Sequence, residues 1–169
     1  PKFQRIGLQQ TIEAIRDSEH YRSPLGGPHR GRGIASGFWF NIGLKSSVTA
    51  TVNLDGHVAL VEGSTDIGGT RTSIAMQFAE TLGIPVEVVH PTVADTDGIG
   101  YTDVTGGSRT TFATGIAAVH AAQDIQRQLI DRAAKLWNVP AAQVSYVDGG
   151  VTGPAGKRLS FTELAAELH

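Results

Sequence analysis

The sequence predicts an α+β fold, a mixed-sheet α/β arrangement of β-hairpins and crossover helices. Three observations carry that reading. Segments of helical and strand period interleave in the order α-β-β-β-α-β-α-β-β-α. Asn53-Leu54-Asp55-Gly56 and Asp148-Gly149-Gly150 are turn signatures that join neighbouring strands. Helices separate the remaining strands, and this mixture argues against a doubly wound parallel sheet.

Leu8, Ile12 and Ile15 recur at helical spacing, which predicts a helix over 3–18. Residues 19–33 are rich in Gly, Pro and Arg and read as loop. The apolar run from Ile34 to Ile42 reads as a strand. Val48, Ala50 and Val52 alternate with Thr49, Thr51 and Asn53, the period of a half-buried strand, and His57 to Glu62 is its return. A glycine-rich junction covers 63–70. A helix over 72–82 follows, with Ile74, Ala75, Phe78 and Leu82 on one face, Gly83 just past its end and Pro85 beyond. Val86 to Val89 reads as a strand and 90–108 as a long polar loop. The helix over 109–137 carries the stripe Phe112, Ile116, Val119, Ala122, Ile125, Leu129, Ala133 and Leu136, and Pro140 bounds it. Val144 to Val147 and Val151-Thr152 form a second hairpin. Ser160 and Glu163 form a capping box that opens a last helix. No repeat or linker divides the chain. Residues 1–169 are therefore expected to form a single domain, with a leading helix and loop at 1–30 and the main body at 31–169.

The composition narrows the function. Of the 169 residues, 40% are apolar and 18% charged, enough to build one globular core. A net charge of -2 without a basic tract gives no electrostatic footprint for nucleic acid. No apolar run approaches the about 18 residues of a membrane span. Pro1-Lys2-Phe3-Gln4-Arg5 is not followed by the apolar segment of a signal peptide, so the expected compartment is the cytoplasm, with the periplasm left open. The absence of cysteine removes disulfides, thiolate metal ligands, thiolate-held iron–sulfur clusters and a cysteine nucleophile from this chain. A start at Pro1 and a stop at His169, beside an apolar-periodic segment, fit a piece of a longer polypeptide.

Two loops share one design. Gly68-Gly69-Thr70-Arg71-Thr72-Ser73 and Gly106-Gly107-Ser108-Arg109-Thr110-Thr111 each place glycines and small hydroxyl residues directly before a helix. Glycine lets backbone N–H groups approach a ligand, and the helix start adds unpaired donors and a partial positive charge. Together these make an anion or phosphate cradle. Ordinary helix capping uses the same residues. Neither loop is a nucleotide fingerprint, because no G-x-x-x-x-G-K-[ST] occurs and no G-x-G-x-x-G opens a helix after a strand. Asp95, Asp97 and Asp103 are compatible with a hard-cation site, an acid/base pair, or Asx-turns in a solvated loop. The histidines 20, 29, 57, 90, 120 and 169 include no i, i+4 pair and no H-E-x-x-H. No G-x-S-x-G elbow is present.

The order of these segments resembles a known family. Gly31-Arg32-Gly33-Ile34-Ala35, the Asp55-Gly56 turn, Asp66-Ile67-Gly68-Gly69-Thr70 and the helix with Gln77, Ala79, Glu80, Leu82 and Gly83 come first. Asp95-Thr96-Asp97, Gly107-Ser108-Arg109-Thr110-Thr111 and the long Ala-rich helix follow. The order is similar to the large, molybdopterin-binding subunit of the xanthine dehydrogenase/aldehyde oxidase family over roughly 31–169. The resemblance implies a molybdenum cofactor, often the cytosine dinucleotide form in bacteria. It places Gly68, Gly69 and Thr70 beside the metal and Gly106, Gly107, Ser108, Arg109 and Thr110 in a cofactor loop. It implies an oxidoreductase that hydroxylates an aldehyde, an N-heterocycle or a similar small molecule, with water as the oxygen source. The implied partners are the rest of the large subunit and iron–sulfur and flavin subunits or domains.

Two departures stand out. Where the family commonly carries glutamine in a G-Q-G loop, this chain has Gly69 followed by Thr70. The family's base glutamate lies near its C-terminus, and no V-G-E-like segment occurs here. The chain alone is therefore expected to be inactive and empty of cofactor. The competing expectation is a non-catalytic α+β module that binds a phosphorylated ligand or a partner protein.

Overall fold

A computed structural model describes residues 7–37, 39–93 and 95–168. It resolves two compact units, Pro1–Phe38 and Trp39–His169. The first holds α1 (Leu8–Asp17) and a short α2 (Glu19–Arg22). The helical spacing of Leu8, Ile12 and Ile15 does form α1, while positions 3–6 of the expected helix lie outside the described residues. Residues 19–22, expected as loop, are helical because Ser18 ends α1 in an extended conformation and caps the next turn, accepting the Tyr21 N–H at 3.2 Å. Arg32 folds the following loop back by donating to the carbonyls of Tyr21 and Ser23.

The second unit carries β1 (Val48–Val52), β2 (Val58–Glu62), α3 (Thr70–Leu82), β3 (Val89–Val93) and α4 (Gly115–Trp137). It continues with β4 (Ser145–Val147), β5 (Gly150–Thr152), β6 (Arg158–Ser160) and α5 (Phe161–Ala165). β1 and β2 pair antiparallel across the 53–56 turn, and β2 pairs parallel with β3 after the α3 crossover. This is the mixed sheet the sequence predicts. A second, antiparallel sheet runs β4-β5-β6.

The core lies where β2, α3 and α4 meet. Val58 and Leu60 point from β2 toward Ile74, Phe78 and Leu82 of α3, all fully buried. Removing each Leu, Ile or Phe side chain from water contributes about 1.5–3 kcal/mol. Ala118, Ala122 and Leu129 give α4 a narrow buried stripe against α3. The end of α3 is a Schellman closure. Gly83 takes φ 66°, its N–H donates to the Glu80 carbonyl, and the Ile84 N–H donates to that of Ala79. The capping box is present as predicted, with Ser160 and Glu163 opening α5.

Several element readings need correction. No strand forms at 34–42. Its described residues follow an irregular path, Phe38 lies outside them, and Ile34, Phe40 and Ile42 are exposed. An apolar run becomes a strand only beside a hydrogen-bonding neighbour, and among the described residues no strand pairs with it. The strand expected at 86–89 starts at Val89 instead, because Pro85 leads into a tight 3₁₀ turn over Val86–Val88. The long helix begins with a π-helical turn, Thr110–Thr114, and becomes α-helical at Gly115. β6 lies in a segment for which the sequence predicts no element.

Candidate functional site

The two glycine loops, 38 residues apart in sequence, border one open cleft of about 400 Å³. Ile67 and Thr70 line it from the first loop; Thr105, Gly106, Ser108, Arg109, Thr110 and Thr111 line it from the second. The fold brings them together because β2 feeds the first loop into α3, and α4, entered from the second loop, packs along α3. Gln77 ties the two helices near the cleft, its Nε2 donating to the Thr111 carbonyl at 3.5 Å. A larger cleft of about 510 Å³ lies at the C-terminal end of α4, around Asp131, Lys135 and Pro140, away from both loops.

The glycines divide into two kinds. A Cβ at Gly68, Gly69 or Gly106 would meet nothing within 4 Å, so these backbones face open space. Gly68 and Gly69 also take φ 58° and 95°, which side-chain-bearing residues rarely adopt. Gly107 is different: with φ 61°, its Cβ would lie 2.5 Å from Ile42 Cγ1, so it is a packing glycine. Ser108 too is left-handed, with φ 53°.

The second loop is braced from behind. The Arg109 side chain is only 1% exposed. Its Nε donates to the Gly43 carbonyl at 2.7 Å. Its terminal nitrogens donate to the carbonyls of Lys45 (2.5 Å) and Asp103 (3.0 Å) and to Ser46 Oγ (2.5 Å). The guanidinium is thus committed to holding the loop, and it brings a positive charge beneath it. Asn41 Nδ2 donates to the Ser108 carbonyl, and the Ile42 N–H to that of Gly107. Segment 41–47, whose first residues belong to the expected strand at 34–42, supplies most of this bracing. Among the described residues, the backbone N–H groups of Ser108, Thr110 and Thr111 have no partner. They are the unpaired donors of a helix start and border the cleft.

The first loop is organised around Asp66, a role that sequence reasoning missed. Its Oδ1 accepts from the N–H groups of Gly69 (3.1 Å) and Arg71 (3.2 Å) and from Thr70 Oγ1 (3.3 Å). These bonds, the Arg71 N–H foremost, hold the carboxyl below its ordinary range. Thr70 Oγ1 also accepts the Ile67 N–H at 2.9 Å. An acid three residues ahead of the helix-capping glycine was the available signal. Beneath this loop lies Glu62, 1% exposed at the end of β2. Its Oε2 accepts from Ser64 Oγ at 3.1 Å while Oε1 is buried without a partner. Burial pushes this carboxyl above its ordinary range.

The other candidates lie elsewhere. Asp95 Oδ1 accepts the Asp97 N–H at 3.1 Å, an Asx-turn. Asp103 braces the second loop, accepting the Lys45 N–H and the Tyr101 hydroxyl, each at 2.7 Å. His57 and His90 stack with ring centroids 5.1 Å apart. Among the described residues no three His, Cys, Asp or Glu side chains converge on a metal position, so the cleft offers backbone donors.

An open cleft edged by unpaired backbone donors can receive an anionic group. The profile of the molybdopterin cofactor-binding domain matches residues 6–169. The chain belongs to this family, the cofactor-binding domains of the xanthine dehydrogenase group. It is 33% identical over 114 residues to a subunit of nicotinate dehydrogenase from Pseudomonas putida, covering 67% of this chain and 10% of that one. It is 30% identical over 126 residues to the nicotine 6-hydroxylase large subunit of Paenarthrobacter nicotinovorans, covering 72% and 15%. Among solved structures it is similar to CO dehydrogenase from Oligotropha carboxidovorans. There the TM-score is 0.67 and the identity 26%, over 73% of this chain and 16% of that one. The chain thus spans between a tenth and a sixth of these relatives' length.

Proposed function

We propose that this chain supplies one wall of the molybdenum-cofactor site in a larger molybdenum-dependent hydroxylase subunit. The observation that carries the reading is the single cleft bordered by both glycine loops. The residues fit the group. Gly68, Gly69 and Gly106 leave room for close approach, and the N–H groups of Ser108, Thr110 and Thr111 are free to receive phosphate oxygens. In this reading Gly68, Gly69 and Thr70 form the side of the cleft nearer the metal. Gly106, Ser108, Thr110 and Thr111 hold the phosphorylated end, while Gly107 and Arg109 keep that loop in shape.

When bound, the cofactor supplies the two-electron oxidation of a C–H bond, with water giving the oxygen. This chain's residues bind and orient. The substrate class is an aldehyde, an N-heterocycle or a similar small molecule, the last two in keeping with relatives named for nicotinate and nicotine. Both relatives are named as subunits, which fits an assembly with iron–sulfur and flavin partners. Covering by the rest of the large subunit would bury Trp39, Tyr101, Val104 and Phe112, which are half or more exposed around the second loop. The 169 residues alone lack the glutamate segment and the other walls, so alone they are inactive and without cofactor. We further read 31–169 as the cofactor-binding body, with 1–30 as a leading helix and loop.

The test is the metal and pterin content of the protein purified from its own host together with whatever co-purifies. Near-stoichiometric molybdenum and oxidised pterin are expected. Well-folded protein lacking both would instead favour a non-catalytic module for a phosphorylated ligand.

A further inference from the structure

Gly115, the first residue of α4, has ordinary helical angles, φ -60° and ψ -43°. Any residue adopts these, and alanine would favour the helix by about 1 kcal/mol. The reason for glycine lies across the helix interface. A Cβ at Gly115 would run into Gln77 Oε1 and lie 2.7 Å from its Cδ, so the Gln77 amide rests on bare backbone. The same amide donates to the Thr111 carbonyl at 3.5 Å, and that carbonyl also accepts the Gly115 N–H. One side chain of α3 thus engages both ends of the π-helical turn through which the second loop enters α4. Thr111 lines the cleft, and α3 opens directly from the first loop. A second glutamine clasps the same helices elsewhere. Gln126 of α4 donates to the Thr81 carbonyl of α3 at 2.6 Å. It lies about 16 Å beyond Gly115 by the helical rise. Between the clasps the core holds Ala75 and Ala79 of α3 with Ala118 and Ala122 of α4. Such small side chains allow close approach but make shallow ridges, which leaves the polar clasps to fix how the helices sit.

Resting on the cofactor reading above, we infer that Gln77 is a positioning residue. Its amide, seated in the notch left by Gly115, fixes the spacing of the two glycine loops and with it the width of the cleft. It acts through Thr111 and Gly115 and needs no contact with the ligand. Gln126 holds the same two helices together but does not reach the turn beside the cleft, so its loss weakens the packing without moving the loops.

The chain holds no cysteine, so nitroxides at Ile67→Cys and Phe112→Cys, half-exposed positions beside the two loops, report their spacing as one interspin distance. Pulsed electron paramagnetic resonance on the full chain is expected to give a narrow distribution when Gln77 is present. Gln77→Ala should shift or broaden it and Gln126→Ala should not, although both variants lose stability to urea. Gly115→Ala should lengthen the distance by crowding the amide, and should add nothing further to Gln77→Ala. In protein purified from its own host with its co-purifying chains, Gln77→Ala is expected to lose most of its molybdenum and pterin, and Gln126→Ala to retain them. An unchanged distance in Gln77→Ala or in Gly115→Ala, or the same change in both glutamine variants, would overturn the inference and leave the cofactor reading standing. So would a Gln77→Ala protein that keeps full cofactor when the wild type is loaded. If the spacing changes in Gln77→Ala alone and the host-purified wild type carries neither molybdenum nor pterin, the positioning role stands and the cofactor reading fails.

Discussion

Glu62 and Arg109 are both buried charge carriers, and they are handled in opposite ways. Arg109 satisfies its guanidinium with backbone carbonyls, so its burial organises the loop around it. Glu62 has one partner, Ser64, and an orphaned oxygen, so its burial favours the neutral form. In the unfolded chain this carboxyl ionises near the ordinary 4.5, and in the fold at a higher pH. The stability it contributes is therefore complete below the unfolded value and is lost as pH rises through the folded one. Glu62→Gln is neutral at every pH and close in shape. It should be more stable than the wild type to urea at about pH 8 and show no such advantage at about pH 4. An equal effect at both pH values would mean that Glu62 is not held neutral by burial.

At the scale of elements, the joint between α3 and the second sheet rests on backbone contact. Gly149 takes φ 69°, and a Cβ there would lie 2.3 Å from the Gly83 carbonyl oxygen. Tyr146 reinforces the joint by donating to the Leu82 carbonyl at 2.7 Å, and burial pushes its hydroxyl up to about 12. Gly156 has a similar φ of 74° but open space around it. Gly156→Ala should therefore cost only the left-handed penalty of about 1–2 kcal/mol. Gly149→Ala should cost distinctly more, because backbone must move as well. Chemical denaturation of the two variants side by side checks the ordering.

Legibility followed the locality of the signal. β1, β2, α3 and the capping box at Ser160 were readable because alternation, helical spacing and caps are written within a few residues. The 34–42 run carried the composition of a strand but no information about a neighbour. The Pro85 turn and the π-helical turn at Thr110 depend on tertiary packing. The glycine loops were visible as a pair. Their difference was not, since glycine at 107 reads the same as at 106 until Ile42 is seen against it. Likewise, the guanidinium of Arg109 reads as a ligand until segment 41–47 is seen to occupy it.

For the molecule as a whole, we propose that a self-braced cleft receives one end of a cofactor whose remaining contacts come from elsewhere. The chain's length, a tenth to a sixth of its relatives', and the exposed Trp39, Tyr101, Val104 and Phe112 fit that division of labour. Among the described residues no helix is long and apolar enough to cross a membrane. Gly106 allows the most direct test, because it lines the cleft and a side chain there would meet nothing within 4 Å. Gly106→Val should keep the fold's thermal stability while filling the place where the ligand must lie. In protein purified from its own host with its co-purifying chains, unchanged unfolding and a large loss of bound molybdenum and pterin are expected. Full cofactor content in a folded Gly106→Val protein would contradict it.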